Sequence, residues 1–453
     1  MSDSAVSPRA AIVLAAGKGT RMKSVLPKVL HEVAGRPMVD WSIDLALMTG
    51  CDPVCVVCSP DQDDLKAHVE ERLGAGRVAI QVEQLGTGHA VQSAQAALEG
   101  ASGHVVVLYG DTPLIRESAI EALFEALDAG AGVGVLGFNA KEPGAYGRLI
   151  LNEVGGLDRI VEAKDASPSE LAVTLCNSGV IAAPAELLFS LLSQVSNNNA
   201  KGEYYLTDIV GLAREAGHTN KVVVCDEADV LGVNSRVQLA EANAAYQARR
   251  RKEVMTEGVT LVAPETVYFS YDTEIGQDCL IEPNVVFGPG VTLAPGVTVR
   301  AFSHLEGAEV ETGAVIGPYA RLRPGSLVGE KVRVGNFVEV KNARLEEGAK
   351  INHLSYVGDG FVGAGANLGA GTIFCNYDGF NKNITHVGAG AFVGSNSALV
   401  APVKIGDRAY VGSGSVITED VPEDALSLAR GRQIQREGWA IRYRAKMTGQ
   451  EEE

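Results

Sequence analysis

The stretch VGAGAFVGSNSALVAPVKIGDRAYVGSGSVI, residues 387–417, places an aliphatic side chain at every sixth position: Val387, Val393, Leu399, Ile405, Val411 and Ile417. Glycine directly follows several of them, as in Val393-Gly394, Ile405-Gly406 and Val411-Gly412. A period of six fits neither an α-helix nor the simple alternation of a half-buried strand. It fits a coil of three short flat strands, each turning one aliphatic side chain into a central stack, with small residues at the corners. Stacked coils of this kind bury one continuous core, the solution of a parallel β-helix.

The cadence extends upstream in other registers. Ile275, Ile281, Phe287, Leu293, Val299 and Leu305 form one; Ile316, Leu322, Val328, Val334 and Val340 form a second; Ile351/Val357 and Val362/Leu368 are short linking pieces. Corners account for the 52 glycines, about 11% of the chain against roughly 7% on average. Register breaks matter as much as repeats, because an inserted loop leaves the prism and can build a site. The longest break, between Leu368 and Val387, contains CNYDGFNK, residues 375–382. A purely structural array has no need of it.

The N-terminal half has a different texture. β-rich runs at Ala11–Ala15, Val54–Cys58, Val78–Val82, Val105–Tyr109 and Gly132–Phe138 alternate with segments of helical period. Met38–Met48 follows Pro37, a good first helical position, and Asp61 is placed to cap the next helix. This alternation predicts an α/β doubly wound domain: a parallel sheet with helices on both faces and ligands beyond the carboxyl ends of its strands. Residues 237–254, rich in Ala, Glu, Gln and Arg, read as one helix between the halves. Its basic run Arg249–Lys252 reads as a solvated or salt-bridged face.

With 453 residues, 46% of them apolar, the chain has material for two or three cores. A net charge of −17 repels polyanions and gives no footprint for nucleic acid. Anionic small substrates remain possible, because local cations or backbone amides can reverse the field in one cleft. The seven cysteines are odd in number and scattered, which fits a reducing cytoplasm rather than a disulfide framework. Cys55 and Cys58 fall on opposite faces of a strand and read as packing residues. The apolar run Ala10–Ala16 is too short for a signal core or a span, and no stretch of about 18 uncharged apolar residues occurs, so membrane insertion is not expected.

Directly after the first strand comes LAAGKGTRM, Leu14–Met22, and then Pro27-Lys28. Gly17 and Gly19 let backbone N–H groups approach a triphosphate, while Lys18, Arg21 and Lys28 can neutralise it. The spacing matches neither the dinucleotide fingerprint nor the Walker loop, and a plain strand-to-helix turn would use the same glycines. Two further loops weigh against that reading: Gln84–His89 follows the third strand, and Tyr109-Gly110-Asp111 closes the fourth. Asp111 is placed either to hold Mg²⁺ against phosphate oxygens or to cap a helix.

These residues resemble the nucleotide-diphospho-sugar pyrophosphorylases, whose hallmark is this glycine-rich loop followed by Pro-Lys. Glu83–Ala90, Asn177-Ser178-Gly179, Asn197–Tyr205 and Gly232-Val233-Asn234 carry a narrower resemblance. They are similar to the bifunctional bacterial N-acetylglucosamine-1-phosphate uridylyltransferase and glucosamine-1-phosphate N-acetyltransferase family, from about Ala10 to about Arg430. The resemblance implies a nucleotidyltransferase domain over 1–236, a linker helix over 237–258, and a left-handed parallel β-helix acetyltransferase domain with a C-terminal tail over 259–453. It further implies a cytoplasmic homotrimer that makes UDP-N-acetylglucosamine for peptidoglycan and lipopolysaccharide. The substrates would be glucosamine 1-phosphate, acetyl-CoA, N-acetylglucosamine 1-phosphate and UTP, with Mg²⁺ as cofactor.

Carried over residue by residue, the resemblance assigns Leu14, Ala15, Ala16, Gly17, Arg21 and Lys28 to UTP phosphates and Gln81, Gln84, Gly86 and Thr87 to uracil. Tyr109 and Gly110 complete the nucleotide site, Gly147, Glu162 and Asn177 go to the sugar, and Asp111 and Asn234 to Mg²⁺. Downstream, His353 matches the general base that takes a proton from an attacking amine, a task suited to imidazole near neutral pH. Arg323, Lys341, Tyr356, Asn367 and Lys382 match amino-sugar phosphate contacts. Ala370, Asn376, Tyr377, Ser395, Ser413 and Arg430 match acetyl-CoA contacts. Ser413 stands where alanine is common, and Gly431-Arg432-Gln433 departs from the family's Pro-containing continuation. Two other readings stay open on the residues alone. One is a monofunctional sugar-1-phosphate nucleotidyltransferase with a non-catalytic β-helix; the other is a non-catalytic protein pairing the same folds.

Overall fold

The computed structural model describes residues 7–199 and 201–449, so Ala200 of the Asn197–Tyr205 stretch lies outside the described residues. The chain separates into two compact units, dividing between Arg250 and Arg251.

In the first unit the elements run β1 (Arg9–Leu14), α1 (Met38–Met48), β2 (Cys51–Cys58), α2 (Asp63–Leu73), β3 (Val78–Ile80), α3 (Thr87–Ser93), β4 (His104–Tyr109), α4 (Glu117–Asp128) and β5 (Val133–Asn139). Then follow β6 (Arg148–Leu151), β7 (Leu157–Val161), β8 (Leu175–Pro184), α5 (Ala185–Leu192), α6 (Asp208–Glu215) and β9 (Asn220–Cys225); the division falls within the next helix, α7 (Arg236–Thr256). The main sheet order is β9-β5-β8-β4-β1-β2-β3. Helices cover both faces, so strands such as β4, HVVVLY, read as continuous apolar runs. On β2, Cys55 and Val57 pack into one core layer while Val54, Val56 and Cys58 pack into the other. Burial pushes the thiols of Cys51 and Cys55 up to about 11 and that of Cys58 to about 12, so they serve packing rather than nucleophilic chemistry.

Two expectations are corrected here. The sheet is mixed, because β8 runs antiparallel to both β4 and β5. After β5 the chain leaves through the antiparallel pair β6–β7 and returns along β8, which needs no helical crossover. Asp61 does not cap α2; the cap position is Gln62, and Asp61 instead accepts from the Ser59 hydroxyl at 2.5 Å.

The second unit is a three-faced parallel coil. Its first face is a ten-strand ladder that includes Lys350–His353, Asn367–Leu368, Phe392–Val393 and Tyr410–Val411. The second face carries core residues Leu305, Leu322, Val340, Val357 and Phe374, and the third carries Val310, Val328, Leu345, Val362 and Val387. The structure revises the meaning of the register breaks. Leu305 is followed by Val310, Val340 by Leu345 and Val357 by Val362, so these breaks are shortened corners rather than insertions. Only the Leu368–Val387 break adds chain. Shortened steps and insertion share one corner, between the second and third faces.

The corner between the first and second faces is also built unusually. Phe302, Tyr319, Phe337 and Leu354 hold φ of 60°, 56°, 56° and 50°, a region costing a residue with a Cβ roughly 1–2 kcal/mol. Stacking of the aromatic rings at 4.9 and 5.2 Å offsets part of that, at about 0.5–1.5 kcal/mol a pair. In later coils the same corner is Gly371, Asn396 and Gly414. Above the level of His353 the ladder of large side chains gives way to two glycines and an asparagine, a nearly bare corner.

Phe374 closes the core beneath the insertion, and a Cβ on Gly360 would stand 2.7 Å from its ring. Phe374→Ala is therefore expected to cost about 3–5 kcal/mol, read as a lower denaturation midpoint of the β-helix unit with the first unit's transition unmoved.

Two candidate active sites

The first site lies at the carboxyl ends of β1, β3 and β4. A cavity of about 290 Å³ is lined by Leu14, Ala15, Ala16, Gly17, Lys28, Gln81, Gln84, Gly86, Thr87, Tyr109 and Asp111. Val29, which sequence reasoning did not single out, and Ala90 and Glu203, which lie in stretches it quoted without giving them a site role, complete the wall. Gly86 is required by close approach: with φ 112°, a Cβ there would stand 2.6 Å from the Tyr204 carbonyl oxygen. Tyr204 N–H donates to Leu85 O and Gly88 N–H to Tyr204 O, both at 2.8 Å, which laces the Asn197–Tyr205 stretch to this loop.

Lys28 sits on a short 3₁₀ turn after Pro27 and reaches across the cleft. Its ammonium pairs with the Asp111 carboxylate and donates to Asn234 Oδ1 at 3.0 Å. Asp111 is no helix cap, since α4 begins only at Glu117. Val233 N–H donates to Asp111 O at 2.9 Å and so fixes Asn234 beside it. Two hard oxygens thus converge on one cation position, the donor chemistry that Mg²⁺ takes.

Beside the cavity, Asn177 N–H donates to Gly147 O at 2.8 Å, and a Cβ on Gly147 would stand 3.5 Å from Glu162 Oε1. Burial holds the Glu162 carboxyl above the usual carboxylate range, against the opposing charge of Lys201. The half-buried Tyr109 ring lies against Gly179, where a Cβ would stand 2.8 Å away, and desolvation with Asp111 and Glu162 nearby raises its phenol. Gly110 is packed under the loop, its N–H donating to Leu14 O at 3.0 Å. Arg21 is not brought in: it lies exposed on the turn Thr20–Met22, outside the cavity lining.

The second site spreads over the second face of the coil. Arg321, Glu339, Tyr356 and Ile373 stack in one outward column, and Lys341 is in register with Gly358 in the next. Arg323 donates to Glu339 Oε1 at 2.8 Å. The Tyr356 phenol lies across Gly358, where any Cβ would meet its oxygen at 2.3 Å. From the neighbouring corner the insertion brings Lys382 against Lys341, and that like charge lowers the Lys341 ammonium below its ordinary range. Two adjacent ammonium groups with Arg323 nearby favour an anion.

Asp359 anchors the insertion from below. It accepts from the Asn342 amide at 2.7 Å and from the Asn376 amide. Burial pushes its carboxyl up, but those amides together with Lys341 and Lys382 outweigh it and hold it below the usual range. Within the loop, Tyr377 pairs with Lys382 across an isolated bridge and its hydroxyl donates to Gly379 O at 2.6 Å.

His353 stands exposed at the end of its first-face strand, bordering a groove of about 460 Å³ that Arg300, Arg333 and Asn352 also line. Its Nδ1 contacts Asn336 Oδ1 at 2.9 Å. With Nδ1 donating to that amide oxygen, Nε2 is left as the acceptor. From His353 a backbone ladder climbs the bare corner: Gly371 N–H to His353 O at 3.3 Å, Asn396 N–H to Ala370 O at 2.7 Å, and Gly414 N–H to Ser395 O at 2.8 Å. Arg430 caps it, donating to Ser413 O at 2.7 Å. Ala370, Ser395, Ser413 and Arg430 thus follow His353 in single file. Asn367 is not brought to Arg323, Lys341 and Tyr356; it lies on the first face between Lys350 and Phe392. Past Arg430 the chain runs to an exposed helix, Trp439–Thr448.

Two family models match. The MobA-like NTP transferase domain covers residues 11–172, and the bacterial transferase hexapeptide (six repeats) covers 272–307 and 384–419. The gap between the hexapeptide matches holds the shortened corners after Val340 and Val357 and the inserted residues 375–382, and the repeat is that of the left-handed parallel β-helix. Near full-length relatives are also found. The chain is 56% identical to the bifunctional protein GlmU of Azorhizobium caulinodans, over 96% of this chain and 97% of that one. It is 60% identical to the bifunctional protein GlmU of Hyphomonas neptunium, over 97% and 95%, and 54% identical to that of Paramagnetospirillum magneticum, over 98% of each.

Proposed function

The chain belongs to the family of bifunctional GlmU proteins, and on that footing we propose that it makes UDP-N-acetylglucosamine in two steps at two separate sites. In the β-helix unit the amine of glucosamine 1-phosphate attacks the thioester carbonyl of acetyl-CoA. The new amide C–N bond forms and the C–S bond breaks; His353 Nε2 takes the amine's proton and passes it to the departing sulfur, so coenzyme A leaves as the thiol. Arg323, Lys341 and Lys382 hold the sugar phosphate; Tyr356 and Asn367 orient the sugar. Ala370, Ser395, Ser413 and Arg430 receive the extended donor along the bare corner, while Asn376 and Tyr377 meet its acetyl end.

In the N-terminal unit a phosphate oxygen of N-acetylglucosamine 1-phosphate attacks the α-phosphorus of UTP and pyrophosphate departs. The loop Leu14–Gly17, with Lys28, neutralises the phosphates; Gln81, Gln84, Gly86 and Thr87 read uracil beside Tyr109 and Gly110. Gly147, Glu162 and Asn177 hold the sugar. Asp111 and Asn234 would hold Mg²⁺, which supplies charge neutralisation at the phosphate oxygens. Positioning and charge carry this step, since the protein forms no bond to the substrate.

One observation carries the two-site reading: the insertion lays Lys382 and Asn376 onto Lys341 and Asp359 of the prism. A β-helix that only supports has no use for adjacent ammonium groups. Mixing the protein with acetyl-CoA and glucosamine 1-phosphate is expected to release free thiol; no thiol, with pyrophosphate still formed from UTP and N-acetylglucosamine 1-phosphate, would reduce it to a single-site enzyme.

We further infer a cytoplasmic homotrimer that feeds peptidoglycan and lipopolysaccharide synthesis. Among the described residues no helix is long and apolar enough to cross a membrane. Asn367, held on another face from Arg323 and Lys341, supports a site completed by a second copy, and the exposed ladder Phe302, Tyr319, Phe337 and Leu354 offers it an apolar seam. Light scattering is expected to give three times the chain mass of 47.5 kDa; a monomer at micromolar concentration would remove the inference.

A further inference from the structure

Three successive carbonyls of the glycine-rich loop are tied back by glutamine side chains. Gln84 Nε2 donates to Ala16 O at 2.7 Å, and Gln62 Nε2 donates to Ala15 O at 3.2 Å with a longer contact to Gly17 O at 3.5 Å. Gln62 is buried, and its Oε1 accepts from Ser59 N–H at 2.8 Å. Both ends of its amide are therefore committed, which fixes the orientation of the NH₂ group. Ser59 directly follows β2, so the side chain braces the loop against the sheet. The other side of the loop is different. Among the described residues, the N–H groups of Ala16, Gly17, Lys18 and Gly19 donate to no protein acceptor.

Carbonyl oxygens repel phosphate and N–H groups attract it, and consecutive N–H groups turned the same way form an anion-binding concavity. Glycines at 17 and 19 make the loop easy to fold this way and equally easy to flip. Some element outside the loop must choose. Gln84 lines the cavity and contacts whatever fills it; Gln62 does not line it and acts only through the backbone.

We propose that Gln62 is a positioning residue for uridylyl transfer: it holds the Ala15 and Gly17 carbonyls away from the cleft so that the loop presents N–H groups to the nucleotide phosphates. This role rests on the reading of the unit as a uridylyltransferase. Gln62→Met keeps the shape of the side chain and removes both hydrogen-bonding ends. It is expected to raise KM for UTP and weaken equilibrium UTP binding on the order of tenfold, with a smaller fall in kcat. KM for N-acetylglucosamine 1-phosphate should change less than twofold, and acetyl transfer by the same chain should not change. Gln62→Glu keeps an acceptor for Ser59 but replaces the donor with a second acceptor and sets a negative charge behind the loop. The loss there should be larger, on the order of a hundredfold. Wild-type turnover of UTP is the reference arm. Its absence removes the underlying reading and the role with it, whereas wild-type turnover with an unchanged UTP KM and affinity in Gln62→Met overturns the role alone.

Discussion

His353→Ala is expected to lower acetyl transfer by roughly 10²- to 10⁴-fold, the usual contribution of a positioned acid–base group, and to leave uridylyl transfer from supplied N-acetylglucosamine 1-phosphate intact. The attacking amine must shed a proton as its bond to carbon forms, and Nε2 is the acceptor that the Nδ1 contact with Asn336 leaves free. His353 is exposed and belongs to no core cluster, so its removal opens no cavity, and surface changes of this kind move stability by only about 0.5 kcal/mol. Lost turnover at unchanged stability would separate chemistry from folding. Asn336→Ala gives the second arm. Without the amide oxygen the ring turns freely, so kcat should fall by less than in His353→Ala while KM for acetyl-CoA stays put. Equal loss of both activities in His353→Ala would sink the separation of sites, and unaltered coenzyme A release would remove the base.

The β-helix was legible because every coil must deliver an aliphatic side chain to the same axis, which prints a period on the sequence whatever the surface does. The insertion was legible for the complementary reason, as the one place where the period fails by addition. Asn336, Asn342, Asp359 and Gly358 were not found. Their roles come from stacking between coils: Asn336 meets His353, Asn342 meets Asp359, and Asp359 meets Asn376, each across 17 residues. A search for polar pairs one coil apart, rather than for aliphatics one strand apart, would have met all three. In the N-terminal unit the strand-end rule located Asp111 and Lys28, yet nothing local joins Lys28 to Asn234, 206 residues on. Gln62 carries no motif at all; its part follows only from the path of the loop. The antiparallel β8 escaped because its burial pattern is the same in either direction.

Asp111→Ala is expected to lower pyrophosphate release by roughly 10²- to 10³-fold, the usual loss when one preorganised electrostatic group is removed, while acetyl transfer continues at the wild-type rate. The variant deletes one of the two oxygens that converge on a cation position and leaves the Lys28 ammonium with Asn234 as its remaining partner. Asp111 is half-buried rather than enclosed, so its loss does not strand a desolvated charge in the core and the sheet should hold. Asp111→Asn sharpens the test. It keeps the shape and an amide oxygen but removes the negative charge, so divalent-ion affinity, read with Mn²⁺ by magnetic resonance in the absence of turnover, should fall steeply with little change in melting temperature. Lys28→Ala should behave differently, weakening UTP binding while sparing Mn²⁺ binding, because its ammonium competes for the position where the two oxygens meet. If Asp111→Asn binds Mn²⁺ as the wild type does and still releases pyrophosphate, the carboxylate is a structural partner of Lys28, and metal recognition must lie elsewhere in the cleft.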